Sequence, residues 1–181
     1  MTDNFMRSPE HARSSSAGEL PEGRTPIPDA AERRQLLLAH GVPEDLHWLM
    51  GPYGVSPLVR RMGIVLDELT VERLTARAPV GGNEQNAGIF HGGAHMVLAE
   101  TLGSIGAMLH VRLGLGKDYP VVGTELGATH HRSATQGHVL AECTPLNLGK
   151  TLTSHEIVMR DEQGRRLSTA RMTNMILAPR S

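Results

Sequence analysis

Aromatic side chains are scarce in this chain: Phe, Tyr and Trp together make up 3% of its 181 residues. Apolar residues still account for 39% of the sequence, enough for one core built mainly from aliphatic side chains. The single cysteine, Cys143, excludes an intramolecular disulfide and fits a reducing cytoplasm; we expect it to be a small buried strand residue. The formal net charge is -1, without a basic patch or a long run of one sign, which argues against a nucleic-acid partner.

The pattern also lacks a secretory signal and a membrane span. Polar residues such as Asp3, Arg7 and Glu10 stand where a signal peptide would have its apolar segment. The most apolar stretch is interrupted by Glu100 and Arg112, so it falls short of the ~20 residues that cross a bilayer. We therefore expect a cytoplasmic protein without a membrane partner.

Two N-terminal segments differ in composition from the rest. Residues 1–28 are rich in Ser, Pro, Gly and charge and lack periodic apolar positions, so we predict a disordered extension. Residues 29–55 predict two short helices, the first capped by Asp29 and the second covering Pro43–Met50. This helical extension either packs on the main domain or covers its ligand pocket.

Residues 56–181 carry the pattern of one α+β domain. Loose alternation of apolar residues predicts two strands with a turn near residues 67–68. Apolar residues at steps of three and four predict a long helix over residues 93–113, and alternation after residue 120 predicts four more strands. One long helix and about six antiparallel strands fit a sheet wrapped around a buried helix.

The long helix begins at the triplet His91-Gly92-Gly93 and carries one acid, Glu100, among apolar neighbours. Burying an ionised carboxylate without partners is very costly, and Ser104, four residues on, shares the face of Glu100. A helix N-terminus exposes unpaired N–H groups, and glycine there lets a ligand oxygen approach closely. An N–H donor and a carboxylate two turns on suit attack on a carbonyl carbon. A core helix with one tolerated acid fits the composition equally well.

Family resemblance favours the chemical interpretation. The pattern resembles the hot-dog-fold acyl-CoA thioesterases with an HGG motif, the PaaI-like group, on the branch with a catalytic glutamate. The residues in matching order and spacing are Gln85, His91, Gly92, Gly93, Glu100 and Ser104. The segments VVGTELGATHHR (121–132) and PLNLGKTLTSHEIVMRDEQGRRLSTARMT (145–173) resemble the same branch. The similarity covers about two thirds of the chain and implies the hot-dog fold, an antiparallel sheet wrapped around one long central helix.

The resemblance implies hydrolysis of an acyl- or aroyl-CoA thioester to the free acid and coenzyme A. Glu100 would act on the thioester carbon, as nucleophile through an anhydride or as general base on water, and both routes stay open. The Gly92 N–H would polarise the thioester carbonyl. Gln85 would orient the carboxylate or a water, Ser104 would hydrogen-bond either of them, and His91 would contact the carbonyl or hold the loop.

The resemblance also implies an assembly of identical subunits. Hot-dog domains pair edge to edge into a dimer, and this branch builds a homotetramer, a dimer of dimers. Glu100 would face Gln85 and His91 of the partner subunit. Coenzyme A would lie in a surface groove, where Arg132 and Lys150 are candidates by position for contact with its phosphates. Coenzyme A belongs to the substrate, and no separate cofactor is expected.

The ten histidines raise the alternative of a metal site. His91 and His95 are four residues apart, but Gly92 stands where the zinc-protease pattern requires glutamate. Adjacent strand residues point to opposite faces, so we expect one of His130 and His131 in the core or an interface and the other on the surface. No metal site is predicted.

Two further alternatives stay open: a hot-dog dehydratase, and a non-catalytic module that binds or senses acyl-CoA. The Gln85 and Ser104 positions favour hydrolysis over dehydration, and a sensor has no use for the acid at Glu100. One position departs from the resemblance, because Gly127 stands where close relatives carry a larger polar residue. If Gly127 lines the acyl pocket, that pocket is wider in this chain.

Overall fold

The computed structural model describes residues 25–179. The predicted disorder of residues 1–28 therefore falls almost wholly outside the described residues. The helices and strands follow one another as α1 Ala30–Ala39, a 3-10 turn Glu44–Leu46, α2 Pro57–Arg61, β1 Val65–Leu69, β2 Leu74–Pro79, α3 Gly92–Leu109, a π-helical turn His110–Gly114, β3 Val121–His130, β4 His138–Leu148, β5 Leu152–Arg160 and β6 Arg166–Ile176.

The six strands form one antiparallel sheet in the order β1-β2-β4-β5-β6-β3, and α3 packs across its inner face. Leu98, Leu102 and Leu109 of α3 are fully buried against the sheet. The predicted α+β architecture, a sheet around one long helix, is confirmed. By length and composition alone the helix Gly92–Gly114 could cross a membrane, but more than half of its apolar window is buried, as in a core helix.

Strand alternation builds the inner face of the sheet. In β2 the buried side chains include Leu74 and Ala78, and in β4 they include Val139 and Cys143. Burial raises the pKa of the Cys143 thiol to about 12, so the thiol stays protonated at neutral pH and is a poor nucleophile. The prediction of a small buried strand residue at this position is confirmed.

Glycines let α3 approach the sheet closely. A Cβ on Gly103 would lie 2.7 Å from Sδ of Met172, and one on Gly106 would lie 2.9 Å from Nε2 of His155. Both distances are shorter than van der Waals contact, so larger residues at these two positions would push the helix off β5 and β6.

The helical extension packs on the free edge of β1. The Leu66 N–H donates to the His40 carbonyl (2.9 Å), and a Cβ on Gly41 would overlap the Leu66 carbonyl oxygen. Leu37 and Val42 of the extension are buried in the main core. The extension was predicted either to pack on the main domain or to cover its ligand pocket, and in the structure it packs on the domain.

Capping of α1 agrees with the prediction, because Asp29 accepts from two backbone N–H groups of the first turn, both at 2.9 Å. The predicted helix Pro43–Met50 is wrong beyond one 3-10 turn. The backbone bonds here span three residues, as from the Met50 N–H to the His47 carbonyl (3.3 Å), and the Arg33 guanidinium donates to the His47 and Gly51 carbonyls (2.7 and 3.1 Å).

The first strand pair also differs from its prediction. The turn lies at Thr70–Arg73 rather than at residues 67–68, where β1 runs on. Asp67 pairs with Arg77 on β2, so the charges that suggested a turn belong to a cross-strand ion pair. The loosely alternating segment before β1 forms α2, which Ser56 caps.

Candidate active site

A tight hairpin leads into α3 and carries two of the predicted site residues. We call residues 83–91 the site hairpin. At its base the Asn83 carbonyl accepts from the His91 N–H (2.8 Å), and at its tip the Gln85 carbonyl accepts from the Gly88 N–H (2.9 Å). Gly88 has a φ of +72°, which glycine adopts without strain. The closed hairpin therefore fixes Gln85 at its tip and His91 at its end.

The start of α3 offers a free backbone donor. His91 is the N-cap, and its Nδ1 accepts from the Gly93 N–H (2.8 Å). In the neutral ring the proton then lies on Nε2, which can donate to a ligand. Within residues 25–179 the Gly92 N–H has no acceptor, as expected for the first residue of a helix. The predicted carbonyl-polarising group is thus available.

His130 is a neighbour of this donor that the sequence interpretation did not assign to the site. A Cβ on Gly92 would lie 3.0 Å from Nε2 of His130, so the ring packs directly against the glycine. The Ser168 hydroxyl donates to the Thr129 carbonyl (3.1 Å) and lies 3.0 Å from Nδ1 of His130. His130 Nδ1 therefore donates to Ser168, and in the neutral ring Nε2 is an acceptor beside Gly92.

The surroundings of His130 explain why it was missed. Both His130 and His131 are exposed in the single chain, so neither lies in its core. The prediction that one of them lies in the core or an interface therefore remains only as an interface between subunits. His130 is the last residue of the edge strand β3, and only its contact with Gly92 in space identifies it as part of the site. His95, with a ring centroid 5.2 Å from that of His130, is the buried histidine here. Burial, and secondarily His130, lowers the pKa of His95 to about 4, so its ring is neutral at pH 7.

Glu100 and Ser104 form the second part of the site. The Ser104 hydroxyl donates to Oε1 of Glu100 (3.3 Å), as the spacing predicted. The expectation of a buried carboxylate is wrong for the single chain: Glu100 is exposed, although its neighbours Leu98 and Ala99 are buried. The helical step turns position 100 away from the core. In the single chain, water solvates the Glu100 carboxylate, so the free-energy cost of burying a charge does not arise.

A glycine on β3 makes room for the Glu100 carboxylate. A Cβ on Gly123 would lie 3.1 Å from Oε1 of Glu100. Gly123 pairs with Asn174 and Glu125 pairs with the preceding Thr173, so the register of β3 shifts by one residue at this point. The bulge thus places a residue without a side chain against the acid, on the strand that forms one edge of the sheet.

One chain does not complete the predicted constellation. Gly92 and Glu100 are eight residues apart on α3, which corresponds to about 12 Å along the helix axis. That separation is too long for both groups to contact the same thioester. The structure therefore brings Gln85, His91 and Gly92 together in one group and Glu100 and Ser104 in another.

The two candidates for phosphate contact also lie apart. The Arg132 N–H donates to the Leu167 carbonyl at the start of β6, whereas Lys150 stands beside Thr151, whose carbonyl accepts from Ile176 at the end of β6. Nine residues of extended strand separate these ends, or about 30 Å. Within one chain Arg132 and Lys150 cannot contact the same phosphate group.

Gly127 does not face α3. With Glu125 and Thr129 it lines an open groove of about 800 Å³ on the outer face of the sheet. The neighbouring Leu126 and Ala128 pack toward the core instead. Within the part of the chain described, no three His, Cys, Asp or Glu side chains are grouped to hold a metal ion.

A sheet wrapped around a helix whose glycine-rich N-terminus presents a free N–H donor is the arrangement expected of the hot-dog thioesterases. The chain belongs to the thioesterase superfamily, whose family model matches residues 87–168. The predicted hot-dog fold and the predicted thioester hydrolase are both confirmed by this membership and by the relatives.

Two similar curated proteins are proofreading thioesterases named EntH. The one from Cronobacter sakazakii is 45% identical over 124 residues, which are 68% of this chain and 88% of the relative. The one from Klebsiella pneumoniae is 45% identical over 123 residues, 67% of this chain and 87% of the relative. Among solved structures, the thioesterase HI1161 from Haemophilus influenzae has a TM-score of 0.64 at 30% identity, covering 74% of this chain and 89% of that one.

Proposed function

We propose that this protein hydrolyses acyl- or aroyl-coenzyme A thioesters to the free acid and coenzyme A, at sites shared by two subunits. The observation that carries the proposal is the division of the site residues into two groups, about 12 Å apart along α3. Each group holds one half of the required chemistry, a carbonyl-polarising donor or a carboxylate. A second copy is needed to bring the halves together.

The free edge of β3 supports that pairing. Among the strands of residues 25–179, β3 has β6 as its one neighbour, and its other edge is open over ten residues. An open edge of this length is a template for pairing with another chain. An antiparallel pair of β3 strands about a two-fold axis makes a closed dimer. Two such dimers would form the proposed homotetramer.

The same two-fold axis favours a shared coenzyme A groove. Arg132 follows the end of β3, whereas Lys150 lies near the sheet end where β3 starts, because Val121 pairs with Ile176. Antiparallel pairing sets the end of one β3 strand against the start of the other. Arg132 would therefore approach Lys150 of the partner subunit, and the two cations would contact the phosphates of coenzyme A.

The chemistry follows from the two groups. The Gly92 N–H binds the thioester oxygen as negative charge develops on it, and His91 Nε2–H is a second donor at the same end. Glu100 from the other subunit either attacks the thioester carbon or takes a proton from the attacking water, with Ser104 holding the carboxylate. Gln85 orients the carboxylate or the water. When Glu100 attacks, the acyl group passes to it as an anhydride, which water then hydrolyses to the free acid and the restored carboxylate. In both routes the coenzyme A thiolate leaves and takes up a proton, and no further cofactor is needed.

We place this reaction in the cytoplasm, where coenzyme A esters would be accessible and a free, buried thiol such as Cys143 persists in reduced form. This mechanism fits the PaaI-like branch of the family.

A free-thiol assay with aroyl-, arylacetyl- and medium-chain acyl-CoAs tests the proposal. Wild type should release coenzyme A, and Glu100→Ala should lower kcat by a factor of about 100 or more, the usual contribution of a general base or a larger one for a nucleophile. Glu72→Ala, which removes an exposed acid from the β1–β2 turn, is the control and should retain activity. If an acyl-CoA raises the melting temperature of the wild type but no free thiol is released, the protein is a binding module instead.

Mixed subunits test the sharing of the site. Glu100→Ala and Gln85→Ala chains, each weakly active alone, should recover activity when unfolded and refolded together. Half of the dimers formed by random mixing contain one chain of each kind, and each of these has one intact site of two. The mixture should therefore reach about a quarter of wild-type activity. Activity no higher than the average of the two parents would contradict a shared site.

A further inference from the structure

Asn83 is a buried residue whose side chain and backbone are both hydrogen-bonded. Its side chain is only 8% exposed, and its Nδ2 donates to the Met62 carbonyl (2.8 Å) and to the Pro79 carbonyl (2.9 Å). Its own carbonyl accepts from the His91 N–H (2.8 Å), and its N–H donates to the Val80 carbonyl (3.0 Å). Both amide hydrogens and both backbone groups are therefore used.

These bonds join three parts of the molecule. Met62 is the C-cap of α2, in the segment that leads into β1, and Pro79 is the last residue of β2. His91 is the N-cap of α3, next to the donor Gly92. A single residue thus joins the ends of α2 and β2, through its side chain, to the N-cap of the active-site helix, through its backbone carbonyl.

Within residues 25–179, a second anchor joins the site hairpin to the body of the domain. On its outgoing strand the Phe90 N–H donates to the Ala134 carbonyl (2.8 Å), and the Phe90 ring is buried against His95. On its incoming strand Asn83 is the buried residue, whereas residues 84–88 between them lie at the surface or close to it. Asn83 therefore fixes one of the two sides of the hairpin, the side that carries Gln85.

We propose that Asn83 is a positioning residue for the thioesterase site, which holds the site hairpin against the end of α2 and the end of β2. The proposal rests on the function proposed above. Without the amide, two buried carbonyls lose their donor and the incoming strand of the hairpin loses its anchor. Gln85 and His91 then drift relative to Glu100 of the partner subunit, and misplacement by about 1 Å can cost a factor of 100 in rate. Substrate binding through distant phosphate contacts is not affected.

The test compares Asn83→Ala with Arg33→Ala, assayed as full-length protein. Asn83→Ala should lower kcat about tenfold or more with less than a twofold change in KM. Arg33→Ala is the matched control, because it also removes side-chain bonds to backbone carbonyls, those of His47 and Gly51, but inside the extension. It should lower the melting temperature and leave kcat unchanged. Equal losses of kcat in the two variants would overturn the proposal, because the effect of Asn83 would then be general destabilisation.

Two further readouts separate positioning from loss of fold. Asn83→Ser keeps one hydroxyl donor, so its kcat should lie between those of wild type and Asn83→Ala, and it carries the test if the alanine variant fails to fold. In a double-mutant cycle, adding Asn83→Ala to Gln85→Ala should cost less than Asn83→Ala costs alone, because the residue acts through the hairpin. Full additivity would contradict the proposal.

Amide hydrogen exchange tests the anchoring without any activity. The His91 N–H, which donates to the Asn83 carbonyl, should exchange at least tenfold faster in Asn83→Ala, whereas amides of β5 should not change. Unchanged exchange at His91 would refute the anchoring itself. Faster exchange in a protein that hydrolyses no thioester would confirm the anchoring and refute the proposed function instead.

Discussion

Replacing Gly123 with alanine tests the geometry of the acid directly. The new Cβ would lie 3.1 Å from Oε1 of Glu100 and 2.9 Å from Cε of Met172. The methionine methyl is the end of a flexible side chain and can move aside. The carboxylate must retreat by about 0.3–0.5 Å to restore the usual separation of about 3.5 Å between such atoms.

The expected magnitude follows from that displacement. If about 1 Å of misplacement costs a factor of 100, then about 0.3–0.5 Å should lower kcat roughly four- to tenfold. This corresponds to about 0.8–1.4 kcal/mol of barrier. Stability should change little, because alanine is no worse than glycine within a strand and the crowded atoms can shift.

Steady-state kinetics and thermal unfolding of Gly123→Ala measure the two quantities separately. Gly127→Ala is the matched control on the same strand, because a Cβ there would meet no atom within 4 Å. It should keep the wild-type kcat. If Gly123→Ala keeps the wild-type kcat too, or if both variants lose it equally, the position of Glu100 against Gly123 does not govern the reaction and the argument fails.

Two further predictions concern buried groups. Burial, and secondarily His110, lowers the pKa of His155 from 6.5 to about 4, and both ring nitrogens lack partners. Through this lowered pKa, His155 contributes about 3 kcal/mol to the free energy of unfolding above pH 6.5, and the contribution is lost as the pH falls toward 4. His155→Leu should therefore flatten the decline of the urea midpoint over that pH range, and an unchanged slope would contradict this. The Cys143 thiol should resist alkylation at pH 8 in the native protein and react fully in denaturant; rapid native labelling, followed by mass spectrometry, would show that the strand opens.

The sequence predicted the parts of the fold that depend on local periodicity. The long apolar repeat gave α3, and strand alternation gave β3 to β6, because burial on one face dictates both patterns. The hairpin of β1 and β2 was misplaced because the cross-strand pair of Asp67 and Arg77 looks like a turn when read along the chain. The predicted helix Pro43–Met50 is a series of tight turns instead, and the Arg33 side chain, distant in sequence, binds the His47 carbonyl there.

The candidate site was predictable only where its residues share one helix or one motif. The contact of Ser104 with Glu100 follows from helical spacing. The packing of His130 on Gly92 and the contact of Gly123 with Glu100 join segments about 23–38 residues apart, and no local pattern encodes them. Asn83 belongs to the same category, since its partner Met62 lies outside the hairpin that it anchors.

The contact between the helical extension and β1 has a consequence for assembly. A sheet with two open edges can add copies at both, and head-to-tail addition that does not close produces filaments. Here Gly41 and His40 lie against β1 at Leu66, so one edge is covered and growth is restricted to β3. In the proposed dimer, pairing of two β3 strands would use up the other open edge. The extension would then act as a terminator, and we expect a chain shortened to the catalytic domain to polymerise more readily than the full chain.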